Sequence, residues 1–191
     1  MFQDAQRFFI MGKICTVNGI RSKGEGSTDL LGQELRNLSY EVLDINQEIR
    51  HTWNVRDKGT VKRDVEKILD LSSDGDIMAG HSYGGYKIAE AMKKRNYKAV
   101  FLFRPAMDRD YGFIHRETKI YCIYSKKDVT IWFGSTLLFH KFGAAGAKGF
   151  RDDLVTNIKS KGGWGHSSDF NPLKQRQYWA NYIARLYPNE I

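Results

Sequence analysis

The chain has 191 residues, 41% hydrophobic and 27% charged, a balance that suits one ordinary domain with a sizeable core and excludes collagen-like, solenoid and low-complexity classes. Its 30 Lys plus Arg against 22 Asp plus Glu leave a formal charge of +8, which draws anions without naming a partner. The 2 cysteines, Cys15 and Cys122, each sit in an apolar run, which excludes a disulfide scaffold or a cysteine-built zinc site.

In chain order, the apolar patch at residues 8–11 is too short for a signal-peptide core, so a cytoplasmic, unprocessed protein is expected. Residues 13–18 read as a strand ending at Gly19, and Ser27, Thr28 and Asp29 offer N-cap chemistry to a helix carrying Leu30, Leu31, Leu35 and Leu38. A strand is expected over 40–45, then a helix over 60–71 with Val61, Val65, Ile68, Leu69 and Leu71 at helical spacing. Residues 76–80 form the next strand, about 84–95 a helix, and 99–103 a strand before Pro105. Another strand follows at 119–124. The low-charge stretch 129–147 is broken by His140, Lys141 and several glycines, so it falls short of a membrane span. Within and just beyond it, the glycine-rich run 143–149 is the expected mobile loop. A weaker strand covers 154–158, and Pro172 opens a last helix with Tyr178, Trp179, Tyr182, Ile183 and Leu186 at core spacing. This alternation predicts an α/β protein: a three-layer αβα sandwich around a mostly parallel sheet of about six strands, as a single domain over 1–191.

The informative motif is Gly80-His81-Ser82-Tyr83-Gly84, a G-x-S-x-G pattern directly after one expected strand and before a helix. Such a tight turn lifts a serine hydroxyl clear of a sheet, and small flanking residues let the backbone approach closely. Here the chain resembles the α/β-hydrolase superfamily, as a small, capless, esterase-like member, over nearly its whole length. The resemblance implies a triad in the order Ser82, Asp128, His166: Asp128 follows the 119–124 strand, and His166 lies in the loop Gly162-Gly163-Trp164-Gly165-His166 before the last helix. It also implies an oxyanion hole from the backbone N–H of Tyr83 and of Ile20, although Asn18 and Gly19 stand where many relatives carry His-Gly. Substrate contacts are expected from Arg21, Trp132 and Trp164. The aromatic set Trp132, Phe133, Phe139, Phe142 and Phe150 fits either an acyl pocket or core. Only residues 104–118 and 129–150 are long enough to roof the site.

Other readings stay open at this level. Ser82 also fits a turn serine that caps the following helix. Asp108 is the substitute acid, with Asp110 behind it, and Asp169 reads as a helix N-terminal charge. His51, His115 and His140 lie outside the expected loop, with His140 the main rival base, and His81 is beside the nucleophile but points the wrong way along the elbow. The clusters Lys93-Lys94-Arg95 and Lys159-Ser160-Lys161 read as solvated faces, with no nucleic-acid motif. No metal-ligand spacing appears and no cofactor is expected. The expected activity is a carboxylesterase- or lipase-like serine hydrolase on a small-molecule acyl ester or thioester. The alternatives are a hydrolase-fold binding protein with a basic surface, or an acyltransferase using the same triad.

Overall fold

The computed structural model describes residues 13–19, 27–45, 58–114, 117–131 and 143–189. Its elements run β1 (Ile14–Val17), α1 (Ser27–Asn37), β2 (Val42–Ile45), α2 (Lys58–Leu71), β3 (Ile77–His81), α3 (Tyr83–Ala91), β4 (Ala99–Phe103), β5 (Lys119–Tyr124), α4 (Ala145–Lys148), β6 (Val155–Lys159) and α5 (Leu173–Leu186). The sheet is six-stranded, in the order β2-β1-β3-β4-β5-β6, and every pairing is parallel. The chain leaves β1 toward β2, then returns to the opposite side of β1 as β3. The carboxyl ends of β1 and β3 therefore flank a switch point, where crossover connections diverge and open a crevice.

Alternation along the strands explains the layers. In β4, Val100 and Leu102 face a core shared with Val65 and Ile68 of α2 and Ile88 of α3. Phe101 and Phe103 face the opposite core, with Leu31 and Leu35 of α1 and Trp179 and Ile183 of α5. Central strands buried on both faces need no polar alternation, which is why ICTV, IMAGH and AVFLF read as nearly unbroken apolar runs. Between α2 and α3 the buried Lys87 ammonium lies 2.5 Å from Asp64, and burial pulls its pKa down to about 8. Both cysteines are buried and free, and burial beside Asp76 pushes the Cys15 thiol up to about 12, so it behaves as an inert core group.

Three expectations are corrected. Leu38, Leu71, Tyr178 and Leu186 are exposed: each sits at an end or edge of its helix, beyond the arc that meets the sheet. Helix α3 stops at Ala91, and Arg95 is not on a solvated face; its guanidinium donates to the carbonyls of Leu69 and Ser72, closing the end of α2. The run 143–149 packs instead of moving. Gly143 has φ 62° and lies so close to the Met107 backbone that a Cβ would overlap it, while the Ala145 N–H donates to the Met107 carbonyl at 3.0 Å. The missing side chains there serve close docking.

Candidate active site

Ser82 follows β3 at the switch point with φ 56° and ψ −121°, a strained conformation for a residue with a Cβ. Its side chain makes no capping hydrogen bond to α3, which removes the helix-cap reading. The turn is pinned by its backbone: the Ser82 N–H donates to Phe103 O at 2.9 Å, and Ser82 O accepts from the N–H groups of Ala106 and Gly85 at 3.0 and 3.2 Å. The flanking glycines permit this approach. A Cβ on Gly80 would lie 2.6 Å from Ile88 Cδ1, and one on Gly84 would overlap the Val17 carbonyl. Gly19, at the end of β1, sits so close to the elbow that a Cβ there would be 3.0 Å from Ser82 Cβ and 3.5 Å from Ser82 Oγ. Tyr83 opens α3, at the positive end of that helix.

Asp128 and His166 come from different loops at the same edge of the sheet, and His166 Nδ1 lies 2.7 Å from Asp128 Oδ2. Asp128 is fully buried, and its other oxygen accepts the Ile131 N–H at 3.0 Å. A carboxylate acceptor fixes Nδ1 as the protonated nitrogen and leaves the lone pair on Nε2. Nε2 is buried and has no hydrogen-bond partner among the described residues. The ring of His81, the residue before Ser82, lies 4.5 Å from the His166 ring, so the imidazole stands beside the elbow. His81 Nε2 is 3.0 Å from the His166 carbonyl oxygen, to which it donates.

Burial holds His81 well below its ordinary value of 6.5, reinforced by His166 and Arg104. The unfolded chain binds a proton there before the folded chain does, so this contribution to stability is complete above about 6.5 and is lost as pH falls. Wild-type unfolding free energy should therefore fall more steeply between about pH 7.5 and 5.5 than that of His81→Gln, by up to about 1.4 kcal/mol per pH unit, and Tm with it. Thermal melts across that range check it, and parallel slopes would refute it.

Three residues whose roles the sequence does not show complete the surroundings. Asp169 is not a helix-terminal charge: it is fully buried, ahead of α5, and bound to the equally buried Arg104 at 2.6 Å. Arg104, directly after β4, has φ 45° and lies 3.8 Å from Asp128 Oδ2. In the sequence, Asn18 is only a departure from a family pattern. It ties the end of β1 to the start of α1, accepting from the Thr28 N–H at 3.0 Å and donating to Asp29 Oδ1 at 2.7 Å.

The remaining expected residues divide clearly. Ile20, Arg21 and Trp132 lie outside the described residues, as do His51, His115 and His140 and the aromatics Phe133, Phe139 and Phe142. Trp164 is 74% exposed on the His166 loop. Phe150 is core, edge-on to Phe113 at 5.3 Å. Asp108 and Asp110 are exposed, Asp110 paired with Arg151 at 2.9 Å, so neither is the acid bound to His166. Among the described residues no group of three or more metal-ligating side chains occurs, and no helix is long and apolar enough to cross a membrane.

No family model and no curated protein sequence matches the chain. Solved structures do. Mouse alpha/beta hydrolase domain-containing protein 10 is 14% identical, with 92% of this chain and 90% of that one covered and a TM-score of 0.62. An extracellular α/β-hydrolase from a Paenibacillus species is 14% identical over 93% of this chain and 99% of its own, at a TM-score of 0.57. An α/β serine hydrolase without lid from Xanthomonas campestris is 13% identical over 94% and 84%, at 0.56. What is shared at such identities is the chain path, and by that path and its six parallel strands this chain has the α/β-hydrolase fold.

Proposed function

We propose that the protein is a serine hydrolase that cleaves a carboxylester or thioester through an acyl-enzyme intermediate. Ser82 is the nucleophile, His166 the base and Asp128 the acid. The observation that carries this reading is the part-buried 2.7 Å hydrogen bond from His166 Nδ1 to Asp128, beside an elbow serine that caps nothing. An imidazole so oriented presents Nε2 as a proton acceptor, which a serine hydroxyl needs before it can attack.

In the first step the bond from Ser82 Oγ to the acyl carbon forms as its proton passes to Nε2. The carbonyl π electrons move onto oxygen, with the N–H groups of Tyr83 and Ile20 as donors. The oxyanion then collapses, and the leaving alcohol or thiol takes the proton from the imidazolium. Water repeats the sequence on the acyl-serine, giving the acid and restoring Ser82. Asp128 stays ionised throughout and stabilises the imidazolium. Arg21, Trp132 and Trp164 are the proposed contacts to a small acyl substrate. The reading takes 1–191 as one cytoplasmic domain, in keeping with two free, buried cysteines.

Intact-mass labelling with a fluorophosphonate tests it. Wild type should gain one adduct at Ser82, and His166→Ala should slow labelling by on the order of 10³ or more. No adduct on folded wild-type protein would overturn the reading. Asp128→Asn should lower kcat by roughly 10⁴ with little change in KM, because the imidazole loses its imposed tautomer. Unaltered kcat in that variant would move the acid elsewhere.

A further inference from the structure

Arg104 is a fully buried arginine that the proposed reaction does not consume, and its guanidinium reaches four groups at once. Nε donates to Asp169 Oδ2 at 2.6 Å, Nη2 donates to Ser168 Oγ at 2.7 Å, Nη1 donates to the Gly165 carbonyl, and Nη1 stands 3.8 Å from Asp128 Oδ2. Gly165 and Ser168 bracket His166 within its loop. Asp169 is held in turn by Trp179 Nε1 at 3.3 Å and by the Ser160 hydroxyl, both on Oδ1. Only a planar fork reaches partners in these separate directions, whereas an ammonium is a point charge.

We propose that Arg104 and Asp169 are a buried positioning pair for His166. Arg104 clamps the loop that carries the imidazole, and Asp169 cancels its charge so that Asp128 serves the imidazole alone. The inference rests on the reading of Ser82, Asp128 and His166 as an acyl-transfer triad. Among the described residues, the charged and titratable groups around His166 are His81 from the end of β3, whose ring lies 4.5 Å from the His166 ring; Asp128 after β5, bonded to Nδ1; Arg104 after β4, 3.8 Å from Asp128; and Asp169 ahead of α5, paired with Arg104. His81 is buried and held neutral by that burial. Two carboxylates and one guanidinium leave a single negative charge, which the imidazolium formed during attack neutralises. Without Asp169, the same imidazolium would add an uncompensated positive charge to a buried cluster.

Two variants separate the clamp from the charge. Asp169→Asn removes the counter-ion, so the acid limb of the pH–rate profile should move down by about one pH unit and kcat should fall about tenfold with KM little changed. The His166 imidazole titration, followed by NMR on histidine-labelled protein without substrate, should move in the same direction. Arg104→Lys keeps the charge and loses the fork. Its acid limb should stay within about 0.3 unit of wild type, while amide exchange at residues 163–168 quickens by about tenfold or more. An unmoved His166 titration in folded Asp169→Asn, or unchanged loop exchange in Arg104→Lys, overturns the proposal. Should Asp169→Asn fail to fold, the Arg104→Lys exchange measurement still decides. Absence of fluorophosphonate labelling would sink the triad reading by itself. The titration and exchange experiments need no turnover, so that failure is distinct from failure of the pair.

Discussion

Replacing Ser82 with alanine is expected to cut turnover of p-nitrophenyl butyrate by roughly 10⁶-fold, to the residual rate that an oxyanion hole and substrate binding sustain alone, while Tm stays within about 2–3 °C of wild type. The two halves of this result come from different features of one residue. The backbone at Ser82 is strained at φ 56°, and alanine, which also carries a Cβ, inherits that strain unchanged. The side chain, by contrast, caps nothing in α3, and the bonds that pin the turn run through its N–H and carbonyl. Deleting Oγ therefore removes a reactive group and almost no structural contact. A serine kept in a costly conformation without a structural bond fits a site where strain exposes the hydroxyl. Steady-state kinetics alongside thermal melts and near-UV circular dichroism check both halves. Retention of a tenth or more of wild-type turnover would remove Ser82 from the chemistry.

Much of this architecture was legible in advance because its strands obey a simple rule. Strand Ala99–Phe103 begins and ends where its apolar run does, since sheet strands covered on both faces are apolar throughout, and Lys119–Tyr124 departs from this only at the exposed lysine that opens it. Asp128 and His166 were implied by the resemblance, and the fold brings them together because parallel strands deliver the loops after them to one edge of the sheet. Residues far apart in the chain then meet there, here at 2.7 Å. What escaped reading depends on partners rather than on pattern. Arg104 follows an apolar strand as any turn residue would, and only a carboxylate 65 positions away explains its burial. Asp169 looked like a helix-terminal charge because Pro172 lies close by, yet its partners are Arg104, Ser160 and Trp179. The run 143–149 carried a composition that suits mobility equally well as close docking. Nothing local distinguishes the two, and the Met107 backbone against Gly143 decides it.

The second large effect concerns Gly84, where the site depends on the fold most directly. Helix α3 crosses the end of β1 so closely that a Cβ on Gly84 would overlap the Val17 carbonyl oxygen and stand 2.6 Å from the Asn18 carbonyl oxygen. Both atoms are backbone, so no rotamer relieves the clash; α3 and the end of β1 must separate. Alanine gains about 1 kcal/mol over glycine in a helix interior, but forcing packed backbones apart costs more than the roughly 1–3 kcal/mol of ordinary overpacking. Gly84→Ala should therefore lose about 3 kcal/mol net, a fall of roughly 6–12 °C in Tm for a chain of this size. Gly112→Ala is the control, because a Cβ there meets nothing within 4 Å, and it should stay within about 0.5 kcal/mol of wild type. Activity should suffer beyond what stability explains. The displaced strand end carries Gly19, whose backbone lies against Ser82, and Asn18, which anchors α1 through Thr28 and Asp29. Moving it disturbs the backbone that lies against the elbow serine. Assayed well below its own Tm, folded Gly84→Ala should thus show kcat reduced by about tenfold or more, the expected penalty for weakening one oxyanion donor. Full activity with lowered Tm would confine Gly84 to packing, and an unchanged Tm would contradict the close approach of α3 to β1.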